Sequence, residues 1–525
     1  MKAFKRYAIR SLPLLVIVAA FGPTGSTFSK SGFGNGRALV QAAATAMGGE
    51  QRLRALKSIK FETIGHIHAL EQSERPEGPW INFYEHISEL RDLTQTRARR
   101  TSERRHSQAP KWIGGTVVVA DGVAFGERGE RKFPATAQQV KDAEERNALS
   151  PERVVLTALD AKDLNTGPDI VFLGATHHVV SFSWGGGTVR LLLNVHNSFL
   201  DGFEITRAYP DDFFNGVWGD VTIRTTFTNW QLEQGIRYPY QVAIDWNGFP
   251  YKQYSVTELA FDVELPQELF AVPPEVRAAF DANVSKQMSR RSLSLGQGFD
   301  GRQRAIQEFG KDIVAISGVY TVTIVRQPDG IVIIEAPISN EYSLKVIAEA
   351  ERRFPGVPLK GVISTGDAWT YIGGLREYIA RGVPVYALDW NKPILSRLTK
   401  APFRTFPDTL ERRPKEAKFR FIGNKTVIGD GANRLELYPV RGSGGERMML
   451  VHLPEVKTLY GSDLVQPGRE GGFFSPQYLT EVAEVVNREK LDVKHVYAMH
   501  LDARPWSTVV EAINRAMSAT TKKAQ

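Results

Sequence analysis

The sequence predicts an α+β protein in two parts: an N-terminal curved antiparallel β-sheet or half-barrel with helices, then a domain in which strands alternate with helices. Three observations lead there. At 525 residues the chain exceeds one core, since single cores stop growing near ~250–300 residues. From Ile59 to about Val272, short strand-like runs are separated by turn formers such as Gly185-Gly186-Gly187, Asp201-Gly202 and Asn247-Gly248. From Ile313 onward the apolar spacing switches to repeated strand-and-helix units.

The first element is a leader. Lys2, Lys5, Arg6 and Arg10 precede an apolar run from Leu12 to Phe21, followed by Gly22-Pro23-Thr24-Gly25-Ser26. This basic, apolar, small-residue order predicts a signal peptide over residues 1–26 and an exported protein, periplasmic or extracellular. The run is about half of the ~20 residues a spanning helix needs, and Pro13 interrupts it, so no permanent membrane span is expected.

Composition is that of a globular protein, 42% hydrophobic and 24% charged. The absence of cysteine excludes disulfides, thiolate metal sites and a cysteine nucleophile. The net charge of +8 includes the four leader cations, and what remains is too small for nucleic-acid binding. Arg97, Arg99, Arg100, Arg104 and Arg105 read as a solvated strand face, interrupted by Glu103.

Residues 35–273 are expected to form the antiparallel half-barrel domain. Leu39, Val40, Ala43, Ala46, Met47, Leu53 and Leu56 have helical spacing broken at Gly48-Gly49, and a helical insert spans Ala137 to Leu159. Strands are predicted over Ile59–Ile67, Thr116–Ala120, Ile170–Leu173, His178–Trp184, Thr188–Asn194, Phe203–Ala208, Val221–Trp230, Tyr238–Trp246 and Lys252–Phe261. The opening Ala46-Met47-Gly48-Gly49 with Leu56-Lys57-Ser58-Ile59, and the later Thr225–Trp230, Gly235–Pro239 and Leu269–Pro273, resemble exported lipoprotein-carrier-like domains of the LolA/LolB type. That resemblance implies an apolar groove for an apolar small molecule or acyl chain. An aromatic-rich structural sheet is the other meaning of the same strands. His177-His178 lies at a strand start with no spaced carboxylate partner, which argues against a metal pair. Residues 274–310, with Pro273-Pro274, a helix around Glu275–Met288 and the glycines of Leu295–Gly301, are expected to be a linker.

Residues 311–520 form the second predicted domain. The runs Pro328–Pro337, Lys360–Thr365, Ile372–Tyr378 and Gly382–Tyr386, then Val451–Glu455, Thr458–Leu464 and Val496–His500, resemble the metallo-β-lactamase superfamily in content and order. The resemblance implies an αββα sandwich and zinc-dependent hydrolysis, in which imidazoles and carboxylates hold one or two Zn²⁺ and the metal generates hydroxide. The family loop T-H-x-H-x-D-H-x-G-G is framed here by Thr365 and Gly373-Gly374, but Gly366, Ala368, Thr370 and Tyr371 stand where the family has His, His, Asp and His. The hairpin turn Gly442–Glu446 lacks the next histidine. Asp463 and His500 alone match ligand positions, too few for the three protein ligands of a catalytic zinc site.

The resemblance thus implies a degenerate domain. No metal is expected unless Asp367 and Glu446 join Asp463 and His500 around zinc or another divalent cation. The expected function is a non-catalytic binding scaffold with an apolar ligand or partner surface. The alternative is an ester, amide or lactone hydrolase with a rebuilt site, and a weaker one is metal-free acid–base chemistry by Asp367, Tyr371 and His500. His452 and His495 read as structural.

Overall fold

The computed structural model describes residues 34–71, 75, 77–106, 112–284, 288–468 and 472–523, and the leader call over residues 1–26 lies outside them. These residues hold 11 α-helices and three sheets of 13, seven and six strands. None of the described helices is long and apolar enough to cross a membrane.

The 13-stranded sheet is two meanders joined at its centre. Ser58–His68 pairs antiparallel with Asn82–Asp92 on one side and with Phe249–Phe261, the last strand of this sheet, on the other. One arm ends at Arg131–Pro134 and the other at Asn165–Phe172, so the sheet stays open. Gly34–Ala46, Glu50–Ala55 and Pro151–Asp160 cover one face, where Val40, Met47, Leu53, Val155 and Leu159 pack on Phe182, Leu191, Phe203 and Phe227. The insert expected as one helix is two, Ala137–Ala148 and Pro151–Asp160. Pro151 cannot continue a helix but suits a first helical turn.

The sequence missed the strand Asn82–Asp92, and it read the face of Arg97–His106 as solvated; both strands carry charge at inner positions. Part of that face is buried ion pairing, because Glu85 and Glu89 are each 1% exposed and need counter-ions, whereas Arg104 and Arg105 are exposed. Arg100 meets Glu89 at 2.6 Å, Arg104 meets Glu85 at 2.6 Å, and Arg97 meets Asp92 at 2.6 Å. His177 and His178 correct the sequence expectation too: each has a carboxylate partner, Asp201 and Asp169, both at 2.9 Å.

The two smaller sheets lie face to face. Ile313, Val325, Ile334 and Ile363 of the seven-stranded sheet pack against Leu435, Leu437, Val451 and Tyr460 of the six-stranded one. The outer face of the first sheet packs on Asn340–Arg353, Leu375–Arg381 and Lys392–Lys400 through Val346, Ile347, Tyr378 and Leu395. Pro476–Arg488 packs on the outer face of the second, through Leu479, Val482 and Val485. The layers therefore run helix, sheet, sheet, helix.

The first of these helical layers shares its core with the large sheet. Leu70, Val217, Trp218 and Val221 join the same apolar cluster as Trp369, Ile372 and Leu375. The edge of Trp218 meets Trp369 at 5.2 Å, and the Arg397 guanidinium lies 4.4 Å from the Trp218 ring and 4.1 Å from that of Phe249. Residues 288–304 run along this junction, where buried Arg290 donates from Nε to the Ile338 carbonyl at 2.8 Å. Truncating Trp218 to alanine removes the ring at the centre of this packing. Trp218→Ala is expected to cost about 3–5 kcal/mol, measured as a fall in the urea midpoint followed by circular dichroism.

Candidate functional site

The altered loop begins where Leu359–Ser364 leaves the seven-stranded sheet, and every residue from Thr365 to Gly374 is buried. Thr365 is held from both sides. Its backbone N–H donates to Glu335 Oε1 at 3.2 Å, its hydroxyl donates to the same oxygen, and Ser462 Oγ lies 2.7 Å from Thr365 Oγ1. Its carbonyl accepts from Met449 N at 2.8 Å. Glu335 follows the strand Gly330–Ile334 with φ +74°, and Ile338 has the same φ. Such values are strained for side chains with a Cβ, above all a β-branched one.

The other end of the loop is fixed by close approach. A Cβ on Gly373 would sit 2.6 Å from the Ile338 carbonyl oxygen, and one on Gly374 would sit 2.2 Å from Ser343 Oγ. Both glycines are required by packing, whatever the loop binds.

Tyr371, Asp463 and His500 come together. Tyr371 Oη lies 3.1 Å from His500 Nε2, and Asp463 Oδ1 lies 3.6 Å from that nitrogen, beyond hydrogen-bond reach. Tyr320 completes the group, with its ring 5.1 Å from that of His500 and 5.3 Å from that of Tyr371. Burial pushes the Asp463 carboxyl up to about 7, against a hydrogen bond from Tyr371. Burial also lowers His500 from its ordinary value, against a backbone hydrogen bond to Val319.

Asp367 and Glu446 lie apart from that group. Asp367 is 1% exposed and neither carboxylate oxygen has a hydrogen-bond partner. Burial raises its carboxyl well above the ordinary range, opposed by Arg447 and reinforced by Glu77 and Glu446. Glu446 pairs with Arg75 at 3.1 Å, and Arg447 with Glu77 at 3.2 Å. The turn before them is filled by a carboxylate, since Gly444 N and Gly445 N each donate to Glu481 at 2.8 Å.

The residues present do not fit a zinc centre. Gly366 and Ala368 offer no donor atom, the Tyr371 hydroxyl is turned to His500, and Glu446 is held by an arginine. Among the described residues no three His, Asp or Glu side chains are grouped so as to hold a metal. His452 is 4% exposed and 3.2 Å from Glu436, whereas His495 begins its strand exposed.

Sequence reasoning missed Glu335, whose role depends on a backbone angle, and missed the charged part of the wall of the cavity in the large sheet. That cavity, about 260 Å³, is lined by Phe61, Phe203, Phe227, Tyr238, Trp246 and Tyr254 among others, with Arg91, Arg100, Arg146 and Lys252 on its wall. The run Arg97–Arg105 was the available signal.

No family model matches the chain, and no curated protein matches it. Its neighbours among solved structures are metallo-β-lactamase-fold proteins, at low identity and over part of the chain. They include the DIM-1 metallo-β-lactamase, 18% identical over 41% of this chain and 97% of that one with a TM-score of 0.32. The metallo-β-lactamase from Pontibacter korlensis is 16% identical over 40% of this chain and 97% of that one, with a TM-score of 0.32. Scores this low carry nothing about chemistry. The lipoprotein-carrier resemblance of the N-terminal half finds no support among these matches.

Burial dominates at Glu335, pushing its carboxyl up to about 8 from 4.5. The folded protein then keeps a proton that the unfolded chain releases near 4.5. Stability from this group is unchanged below that pH, falls as pH rises toward 8 and levels above it. Asp463 acts in the same direction between its ordinary 3.8 and about 7. Glu335→Gln is expected to flatten the fall, so its urea midpoint should gain on that of the parent from pH 5 to pH 9. Parallel midpoints across that range would exclude a neutral Glu335.

Proposed function

We propose that the protein is an exported, non-catalytic binding protein, with an N-terminal domain over residues 35–273 that accepts an apolar ligand. Residues 274–310 then act as the connection, and residues 311–520 as a scaffold that keeps a hydrolase-like architecture without its metal chemistry. The observation that carries the proposal is the cavity inside the large sheet, walled by aromatic and aliphatic side chains and close in size to the small end of the ~300–1,000 Å³ range of ligand pockets. The donor-poor loop from Gly366 to Tyr371 supports the second half of it.

A neutral fluorescent probe, N-phenyl-1-naphthylamine, is expected to bind the purified protein with enhanced emission. Ile244, on the cavity wall, gives the test variant: Ile244→Trp fills the space, at an overpacking cost of about 1–3 kcal/mol, and should weaken probe binding at least tenfold. Equal binding by both proteins, with unchanged circular dichroism, places the probe elsewhere and removes the ligand role.

A second reading, hydrolysis at a rebuilt site, is favoured by one contact, the 3.1 Å approach of Tyr371 Oη to His500 Nε2 beside Asp463. A hydrolase would lose turnover of ester, amide or lactone substrates in both Asp463→Ala and His500→Ala. The binding proposal expects no such turnover in the parent, and sub-stoichiometric zinc by elemental analysis.

A further inference from the structure

The cavity wall is not uniformly apolar. Arg91 and Lys252 enter from the strands Asn82–Asp92 and Phe249–Phe261, Arg100 from Arg97–His106, and Arg146 from the helix Ala137–Ala148. Three carboxylates face them. Glu89 meets Arg91 at 2.8 Å and Arg100 at 2.6 Å, Glu85 meets Lys252 at 2.5 Å, and Glu152 meets Arg91 at 3.4 Å. Glu145 also lines the cavity but is paired with Arg207. Arg104 shares Glu85 from a side chain that is 54% exposed, so water screens it. Asp142 also acts on Arg146 but is exposed, so water screens it; four wall cations thus face three buried carboxylates, and positive charge is left over.

The excess falls on Arg146, whose side chain is 36% exposed but whose Nε is buried. Its Nε approaches Glu89 only to 3.8 Å, too far for a hydrogen bond, and that nitrogen is buried without a partner. A buried donor left unpaired is costly, and an anion supplied from outside would relieve it. The titration of the wall groups agrees. Burial lowers Arg146, opposed by Glu89 and aided by Arg100 and Arg91, and burial lowers Lys252 to about 8, opposed by Glu85.

We propose that the cavity takes an amphiphilic anion, an apolar body with one carboxylate or phosphate head that pairs with Arg146 beside Arg100. This rests on the ligand-binding role proposed above and sharpens it, because aromatic walls alone would suit a neutral molecule equally. The guanidinium presents several N–H donors in a plane, matched to the two oxygens of a carboxylate or phosphate. The aromatic and aliphatic wall takes the body out of water.

Titration calorimetry of the full chain with octanoate, octyl phosphate and 1-octanol tests this. Octanoate or octyl phosphate is expected to bind at least tenfold more tightly than 1-octanol, and the tighter of the two names the head group. Arg146→Gln should cut that anion-to-alcohol ratio at least tenfold, and Arg146→Lys should restore part of it. A ratio near one in the parent, or one unmoved in Arg146→Gln, overturns the anion assignment and leaves the apolar-ligand role standing. Binding of none of the three, with no binding of the neutral naphthylamine probe, overturns both. A melting temperature within a few degrees of the parent shows that Arg146→Gln is folded and that its ratio can be compared.

Discussion

The buried carboxyl of Glu335 holds the altered loop in place. It receives both the N–H and the hydroxyl of Thr365, and Ser462 extends the chain of hydrogen bonds to the second sheet. Residues from two adjacent strands of one sheet and the end of a strand in the other are thereby locked where the sheets meet. A neutral carboxyl suits that position, since an ionised one would need a cation that is not beside it. The strained backbone at Glu335 and Ile338 is held by the same neighbourhood, with Ile338 bonded to Thr370 through its N–H and to Arg290 through its carbonyl.

Packing alone accounts for the residues that frame the loop. Thr365 is the partner of Glu335, and side chains at Gly373 and Gly374 would strike Ile338 and Ser343. Each framing residue has a packing duty independent of metal. Between them Gly366 and Ala368 carry no donor atom in a side chain, and Tyr371 packs against Tyr320 and His500.

Legibility in the sequence followed the same division. Strands with apolar inner faces, such as Ile313–Ile316 and Gly330–Ile334, were readable because burial and spacing agree there. The strand Asn82–Asp92 and the partial burial of Arg97–His106 were not, because their inner positions carry Glu85, Glu89 and Arg100, and a buried ion-pair ladder has the composition of a solvated face. At the site, the positions of Tyr371, Asp463 and His500 could be named from the family order, but their contact depends on how two sheets close. Asp367 shows the converse. Its spacer position in the loop already turns it away from Asp463, while its setting near Arg447, Glu77 and Glu446 comes from the chain's tertiary closure.

The two halves of the molecule also constrain what the loop can do. A catalytic zinc site needs an open coordination position reachable by water and substrate. Here the loop from Thr365 to Gly374 is buried throughout, the Trp369 N–H donates to the Glu71 carbonyl of the connection between Ser58–His68 and Asn82–Asp92, and the Trp369 ring meets Trp218. Trp246 stacks on Tyr251 at 3.7 Å, both line the cavity, and Trp246 lies 6.2 Å from Trp369. Apolar side chains at this loop therefore form part of the wall that supports the cavity from behind. Packing against the large sheet and opening to substrate are competing uses of one surface, and the residues between Thr365 and Gly374 favour the packing use.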